Sequence, residues 1–77
     1  MARYFFQVHD GTDYPDEEGI ELPSLQAARE RAVRYAGELL LCSTPSFWDG
    51  GDWSMDVTND QGLTLFTLHF AATDPGG

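Results

Sequence analysis

Lysine does not occur in this chain, and four arginines stand against thirteen aspartates and glutamates, leaving a formal charge of −9. Nucleic acid and anionic membranes attract basic surfaces, so this balance disfavours generic phosphate-backbone binding and direct nucleic-acid contact. Cys42 is the single cysteine, which rules out an internal disulfide, and two histidines without a Cys/His cluster match no structural zinc spacing. No apolar run approaches the roughly 18 residues of a membrane span. The opening MARYFFQVHDG is too short in its apolar part for a signal-peptide core. A soluble, cytoplasmic protein without membrane contact is expected. There is no G-x-S-x-G, no phosphate-binding glycine loop, no H-E-x-x-H and no D-x-D-x-D-G calcium loop. No catalytic, cofactor-binding or metal-ligating residue is predicted, and the chain is read as a non-enzyme.

What is present suffices for one small α+β domain over residues 1–77, with an ordered core at about 3–71 and a flexible tail at 72–77. A domain this short buries only about 60% of its unfolded surface, and small domains often add a disulfide, a metal or a second subunit. The first two find no support in the residues, which leaves the third.

RYFFQVH, Arg3 to His9, is aromatic and β-branched and predicts a strand with Tyr4, Phe6 and Val8 facing inward. DGTDYPDEEGIELP, residues 10–23, is turn chemistry throughout, with a short extended piece expected at Ile20 to Leu22. Ser24 is a natural N-cap for a helix whose apolar stripe runs Leu25, Ala28, Ala32, Tyr35, Ala36 and Leu39. Gly37 beside that stripe is read as a close-contact glycine, and Cys42 as a partly buried small side chain. Glu30, Arg34 and Glu38, each four residues apart, predict a salt-bridged solvent face. CSTP then stops the helix.

Two further strands are predicted, Trp53 to Thr58 and Leu63 to Phe70, joined by a loop at Asn59 to Gly62 with Gly62 left-handed. Placing Trp53, Met55 and Val57 on the same side as Phe66, Leu68 and Phe70 requires opposed residue numbers to add to an odd value, as in Met55 with Phe66. The third strand has large aliphatics on both faces. That favours a central position and a β-α-β-β fold: a three-stranded antiparallel sheet of order 1-3-2, one helix on one face, and a right-handed connection over the third strand.

RYFFQVHDG, the following D-E-E-G-x-E-L, the helix with A-A-R and A-G-E-L, and the closing WSMDVTNDQGLTLFTLHF together resemble a family of short bacterial proteins, domain of unknown function 6894. The resemblance covers about Arg3 to Phe70 and implies a small bacterial cytosolic protein, with no activity or catalytic residue to carry over. A looser similarity, in G-x-E-L and the alanine-rich helix, is to antitoxin domains of the HicB type. The predicted strand order and the want of a DNA-binding appendix separate the chain from them.

One helix cannot cover both sheet faces. The outer face carries Phe5, His9, Leu65 and His69, with Phe5 and Leu65 expected to form an apolar patch inside a polar rim and the two histidines expected at opposite ends of the sheet. Trp48 and Asp49, in FWDGGDW, and the loop acids Asp13, Asp16, Glu17 and Glu18 complete the candidate partner-binding residues. The function expected is a homodimeric protein-interaction or regulatory module, its partner a second copy or another protein. The alternatives are an acidic decoy of a basic or nucleic-acid-binding surface, and a carboxylate-based metal-binding protein or enzyme.

Overall fold

The computed structural model describes residues 1–42, 47–48, 52–73 and 75. Along the chain run β1 (Ala2–His9), β2 (Asp13–Tyr14), β3 (Ile20–Leu22), α1 (Leu25–Cys42), β4 (Asp52–Thr58) and β5 (Thr64–Ala71). The class is α+β with one long helix and a wholly antiparallel sheet, as the sequence predicts. Its strand number and order differ from expectation. The described sheet has five strands in the order β2-β1-β4-β5, with β3 also on β1, in place of three strands in the order 1-3-2.

Two physical causes account for the difference. The segment after β1 folds back along that strand's free edge, pairing Val8 with Tyr14 and His9 with Asp13, then Ala2 with Leu22 and Tyr4 with Ile20. This satisfies backbone groups that would otherwise face solvent. The central position, moreover, goes to the strand with the best-covered inner face. Trp53, Met55 and Val57 are buried on β4, the last two completely, at about 1.5 to 3 kcal/mol for each large apolar side chain. On β5 the inward Phe66 and Leu68 are only half-buried and Phe70 is 51% exposed. The helix runs from β3 into β4, which flank β1 on opposite edges, so the connection passes over β1 and not, as expected, over β5.

Helix α1 starts where predicted. The Ser24 hydroxyl accepts the Ala27 N–H at 3.1 Å, a cap of about 1 kcal/mol. Its buried stripe is narrower than expected: Ala28, Ala32 and Ala36 alone are buried, while Leu25 and Tyr35 are each 38% exposed. With only methyl groups between them, the helix axis and the sheet come close along this line. Gly37 takes no part in that approach, since a methyl there would meet open space, and Cys42 is exposed rather than partly buried. Among the described residues Glu30, Arg34 and Glu38 form no ion pair, so the predicted charged ladder does not close.

The β4–β5 turn keeps the predicted parity and shifts the pairs by two residues. Trp53 faces Phe70, Met55 faces Leu68 and Val57 faces Phe66, so both apolar sets share one face of the sheet. An irregularity at Val57/Thr58 then brings Thr58 opposite Thr64 rather than Leu63. Asn59 organises the turn, its Oδ1 accepting the N–H groups of Gln61 at 2.9 Å and Leu63 at 3.0 Å, while Gly62 takes the left-handed conformation at φ +80°.

Candidate interaction surface

The acidic segment after β1 is tied down by its own carboxylates. Asp16 is half-buried between β2 and β3, where the strand pairing along β1 is broken, and its carboxylate fills the break. Oδ2 accepts the Phe6 N–H at 3.1 Å, and Oδ1 accepts the N–H groups of Glu18 and Gly19, both at 3.1 Å. Gly19 is pressed onto β1 at φ +70°, where an added methyl would stand 2.9 Å from Arg3 Cγ, Phe5 Cε2 and the Tyr4 carbonyl oxygen. Arg3 reaches across, donating to the Glu18 carbonyl at 2.6 Å and pairing with Glu21 at 3.4 Å. Asp10 accepts from the Thr12 N–H, and Asp13 engages His9. Glu17 and Glu18 are the loop's exposed acids whose side chains have no hydrogen bond among the described residues. Asp16, a candidate partner contact by sequence, is thus a structural acceptor. The D-E-E-G spacing signals the local turn, but nothing local signals the bond to Phe6.

On the outer face, β1 and β5 both run antiparallel to β4 and hence parallel to each other. Ser54 accordingly faces His9 on one side and His69 on the other. The two histidines therefore share one row instead of lying at opposite ends, because the central strand is β4. His9 Nδ1 lies 2.7 Å from Asp13 Oδ1 and its Nε2 3.1 Å from Asp56 Oδ2, while Thr67 donates to the other Asp56 oxygen at 2.7 Å. Both ring nitrogens can donate only in the imidazolium. The Asp13 hydrogen bond foremost, with help from Asp56 and against some desolvation, raises the His9 pKa above 6.5. His69 Nε2 approaches Asp52 at 4.0 Å.

The expected Phe5–Leu65 patch does not form. Phe5 faces Thr58, so β4 separates it from β5, and its ring lies against Gly19. Leu65, at the register irregularity, packs against the core.

The apolar surface lies instead at the far edge. β5 reads TLFTLHFA, eight residues without Asp, Glu, Lys, Arg, Pro or Gly, and among the described residues nothing pairs with its outer side. Beside it a concavity of about 340 Å³ is lined by Gly37, Leu40, Leu41, Phe47, Trp48 and Phe70. Phe47 holds this shelf together, its ring 5.3 Å from Phe70 and 5.5 Å from Trp48, both edge-on. Trp48 is 67% and Leu41 77% exposed. Trp53, five residues on, is buried, so FWDGGDW sends one tryptophan inward and the other to the surface. Asp49 lies outside the described residues. Leu41 and Phe70 were not among the expected contacts. The signal for them is two uncharged runs in the sequence, Leu39 to Trp48 and Gln61 to Thr73.

Among the described residues, an antiparallel sheet with one edge closed by its own loop, the other bare and α1 on one face defines a small α+β domain with an open strand edge. The chain belongs to the family described as Domain of unknown function (DUF6894), whose model matches residues 3–71. No curated protein and no solved structure matches it. Among the described residues no helix is long and apolar enough to cross a membrane.

Proposed function

We propose that the chain is a homodimeric protein-interaction module that associates through the outer edge of β5 and the shelf beside it. The observation that carries this reading is the uncharged eight-residue edge strand in a chain of net charge −9. Edge strands in monomers are usually blunted by charge, proline or a covering loop, and β5 has none of these among the described residues. Two copies of so acidic a protein meet with least repulsion where neither carries a carboxylate. The regular part of the strand, Phe66 to Phe70, is also complementary to itself. A two-fold axis at Leu68 sets Phe66 against the partner's Phe70 and Thr67 against the partner's His69, with all inward side chains on one side of a continuous sheet.

Size exclusion with light scattering tests the reading. The wild type is expected to run as a dimer at micromolar concentration. Thr67→Lys combined with His69→Lys sets two cations opposite each other on either side of the two-fold axis and yields a folded monomer, although it lowers the overall negative charge. Thr67→Lys with His69→Glu restores the dimer. A wild type that stays monomeric at every concentration, or a dimer indifferent to the double lysine change, overturns the proposal.

The acidic-decoy reading draws less support. Asp10, Asp13, Asp16 and Glu21 are engaged within the protein, which leaves few loop carboxylates free to present to a basic surface.

A further inference from the structure

A second concavity, of about 440 Å³, opens away from β5, between α1 and the returning segment that contains β2 and β3. Its volume falls within the roughly 300 to 1,000 Å³ of small-molecule sites. Phe6, Val8 and Ile20 supply apolar lining. Tyr14 of β2 and Tyr35 of α1 line it from opposite elements, and the Tyr35 ring stands edge-on to Phe6 at a centroid distance of 6.3 Å.

The cavity follows from the alanine stripe. Ala28, Ala32 and Ala36 bring α1 down onto the sheet, and the adjoining stripe of the same helix, Arg31, Tyr35 and Glu38 at i, i+4 and i+7, lines the space left beside them.

Charge identifies what fits. Three of the chain's four arginines are on α1, and two of them, Arg31 and Arg34, line this space. Neither has an ion-pair or hydrogen-bond partner among the described residues, although Glu30 and Glu38 each stand four positions from Arg34. Asp16, also in the lining, is committed to three backbone N–H groups and does not compete. With Asp16, Glu18 and Glu38 against the two guanidiniums the lining carries a net charge of −1, in a protein whose net charge is −9. A polyanion is therefore repelled, whereas a single carboxylate on a flat apolar body meets both guanidiniums and an aromatic slot.

We propose that this pocket binds a small aromatic monocarboxylate, its ring between Tyr14 and Tyr35 and its carboxylate on Arg31 and Arg34. The site lies on the closed side of the sheet, so it stands or falls independently of association through β5.

Titration of the full chain by two-dimensional NMR tests it with four probes: benzoate, benzyl alcohol, benzylammonium and inorganic phosphate. Benzoate is expected to bind with shifts confined to Tyr14, Ile20, Arg31 and Tyr35, at least about tenfold more tightly than the alcohol, the amine or phosphate. Arg31→Gln with Arg34→Gln removes that advantage, and Arg29→Gln, outside the lining, preserves it. If this double variant fails to fold, Tyr14→Ala on the exposed wall is the replacement and lowers benzoate affinity. The proposal is overturned if benzoate does not bind, if the alcohol, the amine or phosphate binds as well, or if benzoate binding survives the pocket substitutions.

Discussion

The two edges of this sheet are built from opposite chemistry. The β1 edge is covered by the chain itself, through two short strand pairings and the Asp16 carboxylate in the gap between them. The β5 edge is bare among the described residues, uncharged, and continuous with exposed Trp48, Leu41 and Phe70. Backbone donors and acceptors at a sheet edge need partners. This chain supplies them on one side from an acidic loop and, among the described residues, leaves the other side without them. The acids are concentrated on the covered side, and β5 carries none.

Removing the seal gives the largest expected effect. Asp16→Ala deprives three N–H groups of a charged acceptor and uncovers part of the β1 edge, a loss of about 3 kcal/mol in urea unfolding. The Phe6 amide should also exchange hydrogen faster. An unchanged midpoint would mean that the loop contributes nothing to the edge it covers.

Glycine-to-alanine exchange sharpens the contrast, because it should act with opposite signs on the two sides. At Gly19, on the covered edge, a left-handed φ and contacts at 2.9 Å, one of them to backbone, make alanine destabilising by about 2 kcal/mol. At Gly37, on the open shelf, the new methyl meets nothing, and the gain in helix propensity stabilises by about 1 kcal/mol. Thermal unfolding of both variants reads the pair.

The smallest effect concerns His9, which links β2 to the body of the sheet through Asp13 and Asp56. Its folded pKa is raised above the ordinary 6.5. Its contribution to stability is therefore complete below the unfolded value and disappears as the pH climbs through the folded one. Stability should fall slightly between about pH 6 and pH 8, and His9→Gln should flatten that slope. An NMR titration midpoint for His9 below 6.5 would contradict the geometry.

Much of this architecture is legible in local pattern. Alternation assigns the inner faces of β1 and β4 correctly, because Tyr4, Phe6, Val8, Trp53, Met55 and Val57 repeat with period two and are all buried. Ser24 marks the helix start, and Gly62 the left-handed turn position. The strand order is not legible in the same way. The apolar surplus of β5 reads as centrality if apolar side chains are assumed to be buried inside the monomer, and here they are partly exposed at an edge. That one inversion separated Phe5 from Leu65 and brought His9 and His69 into one row.

The candidate surface divides likewise. Trp48 is visible as an aromatic beside glycines, but its exposure, its edge-on contact with Phe47 and the company of Leu41 and Phe70 depend on how α1 meets β5. In the sequence Arg34 reads as part of a solvated charge ladder, and Arg31 is one more arginine on the same helix. Their place on a pocket follows from the segment that returns beneath them.

The sequence by itself determined the α+β class, the faces of the strands, the start of the helix and an acidic surface without basic patches, since these rest on periodicity, capping and composition within short windows. Only the tertiary structure decided which strand lies at the centre, that Asp16 closes an edge, that β5 leaves one open and that two arginines overlook a cavity. Those outcomes depend on contacts between segments far apart in the chain, whose energies no local window contains.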